Sequence, residues 1–246
     1  MRVRYDLHIH SCLSPCGDAD MTPNNIVHMA QLAGLEMVAL TDHNSCKNCP
    51  AFLRVARKAG LCAIPGMELC TAEECHVVCL FPSLEAAMAF DRLVEGTLPP
   101  VENRPEVFGE QWIMDEEDAV TASFPVLLTT ASSISVDEVV ELVRSYGGAA
   151  FPAHIDRPSY SVTASLGDLP PVGFQTVEVT ADGDTAALSA RYPEMRGKPL
   201  LLDSDAHDLE NIQEAGPWLD LPENTPSALI AALNGEFPAA WGRERG

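Results

Sequence analysis

The chain has 246 residues, 46% of them hydrophobic and 21% charged, an ordinary globular composition that excludes collagen-like, low-complexity and wholly disordered chains. Fifteen Lys and Arg stand against 36 Asp and Glu, and the net charge of −21 opposes a long phosphate backbone, so no duplex nucleic acid is expected as a partner. No apolar run approaches the roughly 20 residues that cross a bilayer, and Met1 leads straight into a strand pattern with no signal-peptide core, so the expected compartment is the cytoplasm, with no membrane partner.

Strand-like and helix-like segments alternate from the start. Residues 3–10 read as a strand. Thr22-Pro23 supplies an N-cap and an N1 proline for a helix that Gly34 closes. Residues 37–40 form a second short apolar run. Residues 50–59 carry Phe52, Leu53, Val55 and Ala56 at helical spacing before Gly60. Strands follow at 61–64 and 76–81, then a helix over 83–94. From Glu95 to Ser133 the pattern is weak and broken by prolines, which reads as an insertion within one domain spanning 1–246. Ser135-Val-Asp-Glu138 is a capping box ahead of Val139, Val140, Leu142 and Val143, and Gly147-Gly148 stops that helix. Residues 149–153, 174–179 and 199–202 are strand candidates, and Thr225-Pro226 opens a last helix through Leu233. Such repeated units with buried, non-alternating strands predict an α/β fold with a parallel sheet, closed or nearly closed into a barrel.

The histidines fall where such a barrel would do chemistry. His8 and His10 form an H-x-H at the end of the first strand, so both rings face one side. His43 ends the second strand, Glu68 follows the third, His76 starts the next, His154 ends 149–153, and Asp205 with His207 follows 199–202. Six of the seven histidines thus lie at strand edges, five of them at C-terminal ends, the face on which parallel α/β barrels build active sites. A shared metal site is the reading of this pattern. His28, inside the first helix, reads as a structural helix-face residue.

Asp6-Leu-His-Ile-His-Ser11, Thr41-Asp-His-Asn44, Gly66-Met-Glu68 with His76, Pro152-Ala-His154 and Ser204-Asp-Ala-His207 resemble, in order, the sequence blocks of the PHP (polymerase and histidinol phosphatase) family. The resemblance implies a distorted (β/α)7 TIM-like barrel, two to three Mn, Fe or Zn ions, and phosphoester hydrolysis by metal-activated water. It further implies that His8, His10, Glu68 and Asp205 hold one ion, that Glu68 bridges to a second held by His76 and His154, and that His43 and His207 hold a third. The loop after H-x-H departs from the family pattern; Asp18 is the choice to complete the third site, ahead of Cys16 and Asp20. Asp6 and Asp42 are expected to orient His8 and His43. Arg157, three residues beyond His154, suits a substrate phosphate. A small phosphorylated substrate is therefore expected, with Glu68 and Arg157 as the catalytic residues.

Eight cysteines lie in the first third of the chain. Cys12-x3-Cys16 and Cys46-x2-Cys49 both follow ligand-bearing strands, so a second metal or redox site is a further reading. It belongs to the alternative of a non-catalytic metal or redox sensor. The other alternative is a PHP exonuclease module acting on nucleic-acid ends.

Overall fold

The computed structural model describes residues 1–181, 183–214 and 216–243. Strand β1 (Arg2–Asp6) leads through helix α1 (Pro23–Leu32) to β2 (Met37–Leu40), and α2 (Cys49–Ala59) leads to β3 (Cys62–Cys70). Both helices start and stop as their sequences dictate. The Thr22 side chain accepts from the Asn25 backbone N–H with Pro23 behind it, and Gly60 takes the left-handed conformation that ends α2. The three strands run parallel in the order β1, β2, β3, as helix-length crossovers require.

The next strand breaks the expected parallel pattern. β4 (His76–Leu80) pairs antiparallel with β3. Only residues 71–75 connect the two, too few for the crossover that a parallel neighbour needs, so the chain makes a hairpin instead. Gly66 permits the close pairing, since a Cβ there would lie 2.6 Å from the Cys79 carbonyl oxygen. The reversal places the beginning of β4, with His76, at the same rim as the ends of β1 to β3.

After α3 (Leu84–Glu95), residues 95–133 contain α4 (Pro105–Phe108) and a small hairpin, β5 (Trp112–Met114) with β6 (Val120–Ser123). α5 (Val136–Ser145) begins with the capping box read from Ser135 and Glu138. β7 (Ala149–Pro152) pairs antiparallel with β4 and so resumes the direction of β3. Beyond α6 (Val162–Leu166), β8 (Val177–Thr180) and β9 (Leu200–Asp203) flank α7 (Thr185–Arg191) as a parallel pair. Two seams draw this pair into a ring. The Ile155 N–H donates to Glu178 O at 3.0 Å on one side, and His10 N–H to Ala206 O at 2.9 Å on the other.

Besides the β5–β6 hairpin, two strands lie outside the expected set. β10 (Pro217–Asp220) adds antiparallel to β1 and is covered by β11 (Trp241–Arg243), with α8 (Pro226–Leu233) between them in sequence. The result is an α/β fold in which a curled seven-stranded sheet, ordered β11-β10-β1-β2-β3-β4-β7, forms the half-barrel of a distorted TIM-like barrel. Tyr5, Leu7, Met37, Ile64, Phe151 and Leu201 are buried together within one apolar cluster, while Phe52, Phe81 and Phe90 pack in another. Burial of each such side chain contributes about 1.5–3 kcal/mol. Among the described residues no helix is long and apolar enough to cross a membrane.

Candidate metal centre

One carboxylate stands at the middle of the rim. Glu68 Oε1 lies 2.8 Å from His76 Nδ1, 3.1 Å from His154 Nε2 and 3.3 Å from His8 Nε2. Its Oε2 lies 3.0 Å from His43 Nδ1 and 3.4 Å from His10 Nε2. Asp205 closes the ring from β9, with Oδ1 at 3.1 Å from His10 Nε2 and 3.3 Å from His8 Nε2. All of these carboxylates and imidazoles except the half-buried His76 and His207 are buried. Burial alone would raise the Glu68 carboxyl, but the imidazoles of His76 and His8 reverse that and hold it well below the usual range. Asp205 is likewise lowered, by His8 and His10 against the effect of burial.

Tautomers follow from the outer partners. His8 Nδ1 donates to Glu178 Oε2 at 2.9 Å, which leaves Nε2 as the inward atom. Ser14 Oγ donates to Asp42 Oδ1 at 2.7 Å, so it accepts from His10 Nδ1 at 2.9 Å and turns the other His10 nitrogen inward. The inward nitrogens held this way face carboxylate oxygens, an arrangement that needs a proton or a metal cation between them. Among the described residues His43 Nδ1, Glu68 Oε2 and Asp205 Oδ1 are buried with no hydrogen-bond partner, although each has polar neighbours within 3.5 Å. A group that accepts from every side, namely a cation, is what such atoms fit.

Three sets of donor atoms could each hold an ion: His8, His10, Glu68 and Asp205; His43, Glu68 and His76; and His10, His43 and His207. The first is the set implied by the resemblance. In the second, His43 stands with Glu68 and His76, and His154 reaches the same Glu68 oxygen from the other side. Asp18 is not brought in. The chain after H-x-H winds through turns at Ser14 and Gly17 that leave Asp18 exposed, accepting from the Asp20 N–H at 3.0 Å. Cys16, although exposed and outside the three donor sets, comes nearer: it lines a cavity of about 270 Å³ with His43, Glu68, His76 and His207. Asp20 is also exposed, as is His28 on α1. Cys16→Ala is therefore expected to lower metal content by a fraction of one ion per chain or more, and Asp18→Ala to leave it unchanged, as read by elemental analysis of the two purified variants. The reverse ranking would restore Asp18.

The orienting acids also differ from expectation. Asp6 does not meet the His8 ring; its Oδ1 accepts from the Ser204 N–H at 3.2 Å. Asp42 acts through Ser14 on His10, and through Ser11, whose N–H and hydroxyl it accepts at 2.7 Å, but not on the His43 ring. Glu178, which sequence reading passed over, fixes His8 and accepts the His154 N–H at 2.9 Å. A single acid in the buried run Val177-Glu178-Val179 was the available signal.

The loops carrying these groups are tightly tied. The side chain of Asp91 accepts from Cys46 N–H and Ser45 Oγ and pairs with Lys47 at 2.6 Å, pinning the segment after His43. Asn48 reaches across to Trp112 O and Met114 N–H, and Asn44 donates to Leu128 O and Thr130 O, so residues 95–133 roof the rim and set Thr129 in the cavity wall. His154, Asp205, Asn44 and Tyr160 all have positive φ, a costly conformation for non-glycine residues that gathers at functional sites. Tyr160 is half exposed, with its ring stacked 4.9 Å from that of His76. Arg157 Nη1 lies 2.6 Å from Asp205 Oδ2 at the cavity edge.

The cysteine pairs do not converge. Cys46 and Cys49 point at the Gly66 carbonyl in the core, Cys12 contacts Met114 Sδ at 3.5 Å, and Cys16 alone of the four is exposed. Burial pushes the Cys12 thiol up to about 12, the behaviour of an inert core thiol.

Proton traffic gives a direct check of the ligand sets. Burial disfavours charge on His10 and His43, but Asp205 and Glu68 for the first, and Cys16 and Glu68 for the second, carry both to about 9. Metal-free protein at pH 7.5 thus holds protons on both rings, and an incoming ion must displace them. Affinity therefore rises with pH up to about 9. Calorimetric titration of zinc or manganese into chelator-treated protein, in buffers of different ionisation enthalpy, should show two or more protons released at pH 7.5, since His8 is raised as well, and fewer at pH 9.5. Metal uptake without proton release at pH 7.5 would remove these rings from the centre.

Comparison with known proteins agrees with this geometry. Over 78 residues the chain is 36% identical to the 5′-3′ exoribonuclease Rnm of Salmonella typhimurium, a stretch covering 31% of this chain and 26% of that protein. The backbone resembles that of the lesion-specific endonuclease PfuEndoQ from Pyrococcus furiosus, with a TM-score of 0.69 at 20% identity over 98% of this chain and 58% of that one. It also resembles a putative metal-dependent phosphoesterase from Bifidobacterium adolescentis, with a TM-score of 0.54 at 17% identity over 82% and 87% of the two chains. The chain thus spans little more than half of the endonuclease and a smaller share of the exoribonuclease. Residues 6–165, from Asp6 through the Glu68 cluster to helix α6 beyond His154, match the PHP domain, and the chain belongs to the PHP domain family.

Proposed function

We propose that this chain is a metal-dependent hydrolase of phosphoesters acting on a small phosphorylated substrate, with two to three Mn, Fe or Zn ions at the Glu68 rim. The observation that carries the reading is Glu68 itself: one buried carboxylate within 3.4 Å of five imidazoles, with unpaired acceptor atoms around it. His8, His10, Glu68 and Asp205 would hold one ion. Glu68 would be shared with a second, held by His76 and His154 with His43 alongside. His43 and His207, with His10, would hold a third that Cys16 completes. Bound divalent ions supply a nucleophile from water at neutral pH and neutralise charge that develops on phosphorus.

The chain's own groups then divide the remaining work. Glu178 and the Ser14–Asp42 pair keep His8 and His10 in the one tautomer that binds inward. Arg157 presents its free guanidinium edge to the cavity, where its planar fork suits phosphate oxygens. Residues 95–133 form the roof that restricts what enters, within one barrel domain.

A second reading, an exonuclease acting on nucleic-acid ends, is favoured by the relatives named 5′-3′ exoribonuclease. The net charge of −21 sets its limit, since it favours a mononucleotide or a short end over a long strand. The test joins elemental analysis of purified protein to a screen of nucleotides, other phosphomonoesters and short 5′-phosphorylated oligonucleotides. Two or more ions per chain and metal-dependent release of phosphate from mononucleotides are expected. Turnover confined to oligonucleotides would favour the second reading, and an intact metal complement with no turnover would favour a sensor.

A further inference from the structure

Tyr160 has no part in the scheme above, yet the backbone is strained to put it where it is. Its φ is 54°, a left-handed conformation that a bulky residue adopts only when its surroundings impose it. The residue is 50% exposed, so core burial does not account for the strain. What surrounds it is His76. The Tyr160 carbonyl accepts from the His76 N–H at 2.8 Å, and the two rings stack with centroids 4.9 Å apart and planes 22° from parallel.

His76 is the rim ring that needs such a neighbour. Metal-binding imidazoles are normally oriented by a hydrogen bond at the nitrogen that does not face the ion. His8, His10 and His207 have fixed partners of this kind in Glu178, Ser14 and the Asp205 carbonyl. His154 lacks one at Nδ1 but is enclosed on every side. His76 is only half-buried, and among the described residues its side chain meets one polar group, Glu68, at Nδ1. His43 and His154 lie at steep angles to it, 57° and 64°. Tyr160 is its one near-parallel neighbour among the described residues, and turning His76 about its Cβ–Cγ bond would break that stack.

We infer that Tyr160 is a positioning residue of the metal centre, whose stacked ring holds the His76 imidazole in the orientation that binds the second ion. The inference rests on the metal-centre reading above. Tyr160 touches neither ion nor substrate in this scheme; it replaces the hydrogen bond that His76 lacks. The loop that carries it is tied as a unit, with Arg157 N–H donating to His154 O at 2.9 Å and Ser161 Oγ to Arg157 O at 2.7 Å. One short loop thus braces a prospective ligand of each of two ions, Asp205 through Arg157 and His76 through Tyr160.

The experiment is titration of manganese alone, in competition with a chromophoric chelator, into metal-free full-length wild type and Tyr160→Phe, Tyr160→Leu and Tyr160→Gly variants. Tyr160→Leu should weaken one ion per chain by about tenfold or more and leave the others unchanged. Tyr160→Phe keeps the ring and should stay within about twofold of wild type. Tyr160→Gly removes the ring but relieves the positive φ, so it should fold and still match the leucine variant. In a His76→Ala background, Tyr160→Leu should change neither affinity nor stoichiometry further, because the ring it positions is gone. Wild-type affinity in the leucine and glycine variants would overturn the positioning role and spare the metal centre. So would a loss in Tyr160→Phe as large as in Tyr160→Leu, or a loss that is the same with and without His76. Wild type that binds no manganese would overturn both.

Discussion

Glu68→Ala is expected to remove metal and activity together, lowering kcat/KM for a phosphomonoester by at least about a hundredfold and metal content by one ion per chain or more. Both Glu68 oxygens face imidazoles, three on one side and two on the other, so no other side chain in the cluster touches as many prospective ligands. Loss of a peripheral ring is a smaller injury: His207 is half-buried and belongs to one donor set, so His207→Ala should retain more metal than Glu68→Ala. Glu68→Gln separates charge from shape. It keeps the volume and one acceptor oxygen but removes the negative charge that balances His8, His10 and His76, so it should resemble alanine in metal content and wild type in overall fold. Elemental analysis and kinetics on the three variants, with circular dichroism to establish folding, decide the matter. Full metal and near-normal turnover in Glu68→Ala would show that the carboxylate is not shared between ions.

The fold was legible wherever a segment's own residues decide its conformation. Thr22-Pro23, Gly60 and the Ser135 box mark helix ends through local hydrogen bonds and φ preferences, and the helices begin and end within a residue or two of those marks. Strand direction is not local. The reversal of β4 rests on the length of the connection after Cys70, and the apolar content of 76–81 carries no sign of it. β10 and β11 were missed for a related reason: each is three or four residues long and is stabilised mainly by pairing with partners far away in sequence, Arg2–Arg4 for the first.

The candidate site divides along the same line. Side chains at strand ends were readable because period-2 geometry and the common rim of a parallel barrel bring His8, His10, His43, His154 and Asp205 together without detailed knowledge of loops. His76 joined them through the hairpin. Cys16, Asp18 and Asp42 lie on irregular turns whose path depends on hydrogen bonds to distant groups, such as Asp18 N–H to His207 O and Ser14 Oγ to Asp42. Their relative positions had no signature in spacing. Glu178 was visible in principle, since an acid flanked by valines on a buried strand needs a partner, and His8 is that partner.

Arg157→Ala is expected to lower kcat/KM by about tenfold or more, equivalent to ~1.4 kcal/mol or more of transition-state stabilisation, while leaving metal content close to wild type. The structure gives this residue two neighbours with different consequences. Its Nη1 pairs with Asp205 Oδ2, whereas the prospective ligand atom of Asp205 is Oδ1, turned toward His8 and His10. The Arg157 side chain is 43% exposed and borders both this cavity and a second one of about 470 Å³, beside the space where a phosphate would lie. Losing Arg157 removes a donor to substrate and one of three supports of Asp205, but His8 and His10 still hold the ligand oxygen in place. Lysine should rescue only part of the loss, because an ammonium on a flexible stem can reach Asp205 or a phosphate oxygen but cannot span both as a planar fork does. The decisive comparison is kcat/KM alongside metal content for wild type, Arg157→Ala and Arg157→Lys. Parallel loss of metal and activity would make Arg157 a brace for Asp205, and unchanged kcat/KM would reduce it to a surface ion pair of the kind that contributes about 0–1 kcal/mol.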